Sequence, residues 1–230
     1  EKILSLKSGR YVFEKIKKYL STIGKIDKKW NSLNILSKNA SSVGSYDLNI
    51  LSSSDGENVV LKKVLNNDFE IVFLIGQDNL KFNKKDEFII YIGSHGDKGA
   101  DIADIILPGS TYTEQDGYFT NLEGKIQKAY KASYPPGEAK EDWQIINELS
   151  ASLKRKKLYS SKEELIKSML NYLNLYLDKK DFDLPKYKFF EEKIHIDDLD
   201  YYHSNSIARA SKTMVLCKNL TATKKIGTNG

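Results

Sequence analysis

Apolar residues along the chain fall into two spacings, and each predicts a different element. Between Arg10 and Ile23, Val12, Phe13, Ile16, Tyr19, Leu20 and Ile23 recur at helical intervals, which predicts an amphipathic helix. Ile71-Val72-Phe73-Leu74-Ile75, Phe88 to Gly93 and Ala103 to Pro108 are instead short and continuous, without polar alternation. Such runs suit strands of a parallel sheet buried on both faces. Ile3 to Leu6 is expected as a further strand that, with the helix after it, makes half of a βαβ unit. The fold class that follows is α/β: an open, mainly parallel sheet with flanking helices.

Weaker patterns fill in the rest. Leu33, Leu36, Ala40 and Val43 predict a second helix stopped by Gly44, then a Ser/Asp/Gly-rich loop from Tyr46 to Glu57 and a brief helix from Val59 to Leu65. Tyr118 to Asn121 and Lys125 to Ala129 predict a hairpin around Leu122-Glu123-Gly124, before Pro135-Pro136-Gly137 breaks regular structure. A helix restarts near Lys140 with Trp143, Ile146, Leu149 and Leu153 on one stripe. Ser161-Lys162-Glu163-Glu164 reads as a capping box for a helix carrying Leu165, Ile166, Met169, Leu170, Leu173 and Leu177. Asp178 to Lys188 reads as a charged connection, Phe189 to Tyr202 as an extended aromatic tail, Ile207 to Cys217 as a last helix, and Thr221 to Gly230 as frayed. The expected division is an α/β domain over residues 1–153, followed by a helical segment and C-terminal docking tail over residues 154–230.

Composition narrows the function classes. The 230 residues are 40% hydrophobic, enough for a real core, and 36 Lys+Arg against 31 Asp+Glu leave a formal +5 spread along the chain. The densest basic run, Lys154-Arg155-Lys156-Lys157, follows a predicted helix end whose carbonyls favour cations, so nucleic-acid binding is not expected. No apolar run approaches the roughly 20 residues of a bilayer span, and direct membrane insertion is not expected. Cys217 is the one cysteine, so a disulfide within the chain or a four-thiolate zinc or iron–sulfur site built from it alone is excluded.

In an open α/β sheet the functional crevice lies beyond the carboxyl ends of the strands, here Gly76-Gln77-Asp78, Gly93-Ser94-His95-Gly96-Asp97 and Pro108-Gly109-Ser110. His95 and Asp97 could form an acid–base pair, although the flanking Gly93, Gly96 and Gly99 more simply mark a tight strand-to-helix passage. His195 and His203 lie in the aromatic tail without cysteines to complete a metal site, and Cys217 reads as a small hydrophobe on a helical stripe. Glu114, Asp116 and Glu123 cluster near two glycines, without the architecture of a carboxylate pair. Neither the dinucleotide fingerprint nor the P-loop pattern occurs. No catalytic residue and no metal ligand is assigned.

One stretch is more specific. Ala103-Asp104-Ile105-Ile106-Leu107-Pro108-Gly109, then Tyr112-Thr113-Glu114, then Gly117 through Asn121-Leu122-Glu123-Gly124-Lys125-Ile126-Gln127, resembles a signature segment of the molybdopterin oxidoreductase superfamily. It is most similar to the complex I branch, the large iron–sulfur subunits of NADH:ubiquinone oxidoreductases. Trp30 to Leu36, Phe88 to Gly99, Pro135 to Trp143 and Ser206 to Met214 resemble the same branch in order and spacing.

The resemblance implies an incomplete molybdopterin oxidoreductase-like domain. In the molybdenum enzymes the corresponding loop helps to hold the pterin, so Asn121, Glu123 and Gly124 are vestigial cofactor-binding candidates. The complex I branch is understood to leave that shell empty, and Lys125 replaces the family's usual arginine, losing a bidentate phosphate fork. The implied role is a structural, non-redox segment of the peripheral arm, on the matrix side of the mitochondrial inner membrane, with no cofactor of its own. FMN and iron–sulfur clusters belong to neighbouring chains. The implied partners are the cluster-bearing N-terminal part of the same subunit, expected upstream of Glu1 or as a separate polypeptide, and other peripheral-arm subunits, to which Phe189-Phe190, Tyr201 and Tyr202 could dock. The alternative is half of an active molybdopterin-dependent oxidoreductase.

Overall fold

The computed structural model describes residues 2–27, 29–37, 39–40, 42–50, 59–77, 79–80, 82–96, 98–176, 188–191, 193 and 200–226. In chain order, a short 3-10 helix (Lys2–Ser5) is followed by α1 (Gly9–Thr22), α2 (Ser42–Asp47), α3 (Val59–Leu65), β1 (Ile71–Ile75), β2 (Phe88–Gly93), α4 (Lys98–Asp101) and β3 (Ile105–Pro108). The hairpin β4 (Gly117–Thr120) and β5 (Ile126–Ala129) comes next, then α5 (Asp142–Ser152), α6 (Lys162–Tyr176), α7 (Ser206–Ala210) and α8 (Lys212–Ile226). These elements form two compact units that interleave along the chain: residues 1–57, 117–129 and 159–196 make one, and residues 58–116, 130–158 and 197–230 the other.

In the first unit the strand expected over Ile3 to Leu6 is a 3-10 turn instead. Gly9 follows so closely that a β-carbon there would lie 2.0 Å from the Ile3 carbonyl, and the chain turns straight into α1 rather than extending. Gly24, at φ +69°, terminates α1 as its N–H returns to the Ser21 carbonyl. The second helix lies later than expected: Leu33 to Ser37 carries no regular structure, and Gly44 sits inside α2 rather than at its end. Its missing side chain admits Thr120 of β4, whose Oγ1 would stand 3.3 Å from a β-carbon at position 44. The predicted hairpin is present, each strand within one residue of its expected bounds, with Gly117 opposite Ala129 and Thr120 opposite Ile126. The predicted cap of α6 is present, with Ser161 Oγ accepting the Glu164 N–H at 3.3 Å. Phe190 exchanges two hydrogen bonds with Ser8 Oγ, at 2.6 and 2.7 Å, while Phe189 stacks obliquely on Tyr11. The aromatic pair read as a docking tail is thus anchored to its own chain.

In the second unit β1, β2 and β3 form one parallel sheet in that order. Asp104 fixes the start of β3: its N–H bonds the Ile89 carbonyl at 2.8 Å and its carboxylate accepts the Ile89 N–H at 2.7 Å. The strands are not buried on both faces as their uninterrupted apolar runs predict. Val72, Leu74, Ile89 and Tyr91 point to one side and form the core with Val64 and Phe82, against which Phe69, Leu80, Ala100, Ile102 and Ala103 pack. The opposite side is largely exposed. An apolar run records strand and hydrophobicity; which face is covered depends on where the connections go.

The expected stripe on α5 is only half-buried, and Leu153 lies beyond the helix end; Ile145 and Asn147 are the buried positions, Asn147 accepting the Leu158 N–H at 2.8 Å. Lys154, at φ +58°, ends the helix at the start of the basic run. The single helix expected from Ile207 to Cys217 is two, broken at Ser211, and the second continues to Ile226 through residues expected to fray. The charged connection over Asp178 to Lys188 and the final residues 227–230 fall mostly outside the described residues.

Candidate functional site

Loops after β1, β2 and β3 converge at the carboxyl edge of the sheet. Gly76 N–H bonds the Ile92 carbonyl at 2.8 Å, Gly109 N–H bonds the Gly93 carbonyl at 3.0 Å, and Ser110 N–H bonds the Lys140 carbonyl at 2.9 Å. The last contact brings the start of α5 against the end of β3. Tyr91 occupies the ground beneath the middle loop. Its ring lies where a β-carbon on Gly93 or Gly99 would go, and its hydroxyl donates to the His95 carbonyl at 2.8 Å. At 2% exposure Tyr91 is a packed plug, and the glycines that could have marked a ligand cradle exist to admit its ring.

The remaining polar groups at this edge do not form an anion site. Glu141 and Asp142 open α5, and Glu141 is the helix N-cap, its carboxylate engaged with the Gln144 backbone and with Trp143 Nε1 at 2.9 Å. Burial holds the Asp142 carboxyl above the usual carboxylate range, and the Glu141 charge pushes it the same way. A β-carbon on Gly109 would lie 2.9 Å from Asp142 Oδ1. A phosphate here would meet two carboxylates. Ser110 Oγ is buried and without a hydrogen-bond partner among the described residues. Ser94 Oγ and His95 Nδ1 lie 3.0 Å apart, whereas Asp97 and Asp78 fall outside the described residues, so the His95–Asp97 pair has no geometry to report.

In the other unit Asn121, Glu123 and Gly124 form the β4–β5 turn. Asn121 Oδ1 accepts the N–H groups of Glu123 at 3.0 Å and Lys125 at 2.9 Å, and the Gly124 N–H bonds the Asn121 carbonyl at 3.0 Å. Gly124 sits at φ +82°, which explains glycine there. The N–H groups of Glu123, Gly124 and Lys125 are therefore engaged within the turn. Glu114 Oε2 caps the Thr111 N–H at 3.0 Å and Asp116 Oδ1 accepts the Lys131 N–H at 2.9 Å, so both carboxylates work as loop braces.

Among the remaining candidates, His203 lies half-buried with Nδ1 3.3 Å from Lys218 Nζ and its carbonyl accepting from Arg209. Lys218 is in turn paired with Asp200 at 2.5 Å. Cys217 is half-buried on α8, and His195 lies outside the described residues. Among the described residues no group of three or more His, Cys, Asp or Glu side chains could hold a metal ion, and no helix is long and apolar enough to cross a membrane. Ser110 belongs to a loop the sequence placed at the crevice, whereas Tyr91 and Asp142 carry no site reading in the sequence. A tyrosine two positions before a strand-ending glycine was the available signal for Tyr91.

Comparison with known proteins agrees with the motif resemblance. The molybdopterin oxidoreductase family model matches residues 1–152. The NADH-ubiquinone oxidoreductase 75 kDa subunit of Reclinomonas americana is 34% identical over 229 residues, covering 95% of this chain and 33% of the relative. An NADH-quinone oxidoreductase subunit of Rickettsia bellii (strain RML369-C) is 37% identical over 217 residues, covering 91% and 30%. The mitochondrial NADH-ubiquinone oxidoreductase 78 kDa subunit of Candida albicans is 34% identical over 209 residues, covering 82% and 28%. The chain spans about a third of the length of the curated relatives it matches.

Proposed function

The chain belongs to the molybdopterin oxidoreductase family, and from that premise we propose that it is a structural, non-redox segment of the large iron–sulfur subunit in the peripheral arm of mitochondrial complex I. The observation that carries the reading is the similarity of nearly the whole chain to the 75 kDa subunit and to the rickettsial NADH-quinone oxidoreductase subunit. Its own chemistry supports the structural part. One cysteine cannot supply the four thiolates of an iron–sulfur cluster, and the strand-end crevice is filled by Tyr91 and faced by carboxylates.

In this reading electrons from NADH pass through FMN and clusters held by neighbouring chains, toward ubiquinone. The segment contributes packing surface to the cluster-bearing part of the subunit and to other peripheral-arm subunits, on the matrix side of the inner membrane. An affinity tag on the chain, followed by mass spectrometry, an NADH:quinone reductase assay and iron and molybdenum analysis, tests it. Recovery with NADH-oxidising activity and iron, without molybdenum, is the expected result. Stoichiometric molybdenum or tungsten would instead identify half of an active molybdopterin enzyme, the reading that the wider family's chemistry would favour.

A further inference from the structure

We propose that Ser160 is a phosphoacceptor: an ATP-dependent protein kinase with an acidic substrate groove recognises Arg155 to Ser160 and transfers a phosphoryl group to the Ser160 hydroxyl. The basic run Lys154-Arg155-Lys156-Lys157 and the cap of α6 adjoin in the chain, and the function proposed above uses neither. Lys157, Lys156 and Arg155 precede Ser160 by three, four and five positions. Cations spaced in this way before a hydroxyl are a charge pattern that an acidic kinase groove selects. Residues 153–161 join α5 to α6 without regular structure, and Lys154 to Leu158 and Ser160 are all exposed. Among the described residues no carboxylate pairs with any of the four cations.

Local hydrogen bonds hold the cations in place and single out the serine. Arg155 N–H bonds the Ser150 carbonyl at 3.0 Å, the Ser150 hydroxyl donates to the Lys156 carbonyl at 2.9 Å, and Leu158 N–H bonds Asn147 Oδ1 at 2.8 Å. A backbone already fixed loses less entropy when a groove captures it. Ser161 Oγ accepts the Glu164 N–H and caps α6, and Tyr159 is half-buried, whereas the exposed Ser160 hydroxyl donates to Glu164 Oε2 at 2.7 Å. In the transfer, Ser160 Oγ bonds the γ-phosphorus of ATP as the bond to the bridging oxygen breaks; ADP leaves, and the hydroxyl proton passes to a carboxylate of the kinase. The phosphate carries about −2 charge, so it repels the Glu164 carboxylate and turns to the cations upstream. From Lys154 to Glu164 five cations stand against two carboxylates, and the modification removes most of that excess.

Phosphorylation here does not depend on the complex I reading, and its test has two arms. The full chain is isolated from its native cells with phosphatases inhibited, and its peptides are sequenced by mass spectrometry. In parallel, the purified full chain is incubated with ATP and a cyclic-nucleotide-dependent serine kinase, a class directed by basic residues. Phosphoserine at position 160 is expected in both arms, and Ser160→Ala is expected to remove it. Replacing Arg155, Lys156 and Lys157 together by glutamine is expected to slow labelling about tenfold or more. These side chains are exposed, so an unchanged circular dichroism spectrum separates lost recognition from lost folding. Absence of phosphoserine at position 160 from the cellular chain, labelling at Tyr159 or Ser161 instead, or equal labelling of the glutamine variant would overturn the inference.

Discussion

Two isoleucines on the same sheet offer a direct measure of its asymmetry. Ile89 in β2 is fully buried on the core face, whereas Ile71 at the start of β1 keeps 57% of its surface exposed on the other. Truncation to alanine removes the same carbons and a similar strand preference at both sites, so the difference reports burial. For Ile89→Ala, the lost transfer energy of about 2.4 kcal/mol rises with the enclosed cavity to roughly 3–4 kcal/mol. For Ile71→Ala, less than half of the side chain is covered and no cavity is enclosed, so the transfer part falls to about 1 kcal/mol. Urea unfolding followed by Trp143 fluorescence in a Trp30→Phe background reads the unit that contains the sheet, since Trp143 and both isoleucines belong to it. Equal losses at the two sites, or a loss at Ile71 above about 2 kcal/mol, would refute the open face.

Other consequences are independent of that face. Gly99→Ala would place its β-carbon 2.6 Å from the Gln77 carbonyl and 3.2 Å from the Tyr91 ring, and is expected to lower stability by about 1–3 kcal/mol in the same unfolding assay. Asn121→Ala removes the acceptor of two backbone N–H groups, and is expected to cost about 1 kcal/mol and to speed hydrogen exchange at Ile126 to Ala129. Asp104 and Asp142 should have opposite effects on pH dependence. The Ile89 N–H and then Lys84 hold the Asp104 carboxyl below its ordinary value, so its contribution is present above that value and is lost as pH falls through the lowered one; Asp104→Asn should flatten the acid limb of a stability-versus-pH curve. Burial holds Asp142 above its ordinary value, so stability declines as pH rises from that value through the raised one; Asp142→Asn should remove the decline and gain most at neutral pH.

Much of the fold was legible because hydrophobic period and turn chemistry act locally. The strands at Ile71 and Phe88, the hairpin around Gly124 and the cap at Ser161 all depend on residues within one element. The failures share a different cause. Ile3 to Leu6 has strand-like composition, but the close approach of Gly9 closes it into a turn. Gly44 looks like a helix stop, and only the position of Thr120, far along the chain, shows that it is a contact glycine inside α2. The runs at Ile71 and Ile105 are as apolar as the buried Ile89 run, so nothing in them distinguishes a covered face from an open one. At the strand ends Gly93 and Gly99 read in the sequence as a tight strand-to-helix passage, and the structure adds the reason that no local pattern carries: both make room for the Tyr91 ring.

The energetics of the open face also constrain how a companion must bind. Covering the exposed parts of five apolar side chains contributes roughly 1 kcal/mol each, about 5 kcal/mol for the face. Association of two separate chains costs about 4–15 kcal/mol in lost freedom before side-chain ordering is counted. A helix laid on this face alone would therefore bind weakly. Among the described residues, β1 and β3 each have one neighbouring strand in the sheet; the carboxyl end of β3 is bonded on its other side, where the Lys140 N–H reaches the Pro108 carbonyl at 3.1 Å, so the outer edges of backbone donors and acceptors are β1 and the start of β3. A companion that adds a strand at one of these edges while laying its helix on the face would gain ladder hydrogen bonds, each worth about 0.5–1.5 kcal/mol net, together with the apolar burial. Tight association of this chain with a separate polypeptide thus requires a β-α unit rather than an isolated helix. A synthetic peptide of the companion helix alone is expected to fail to compete it away, and effective competition by such a peptide would show that the edges carry no part of the binding.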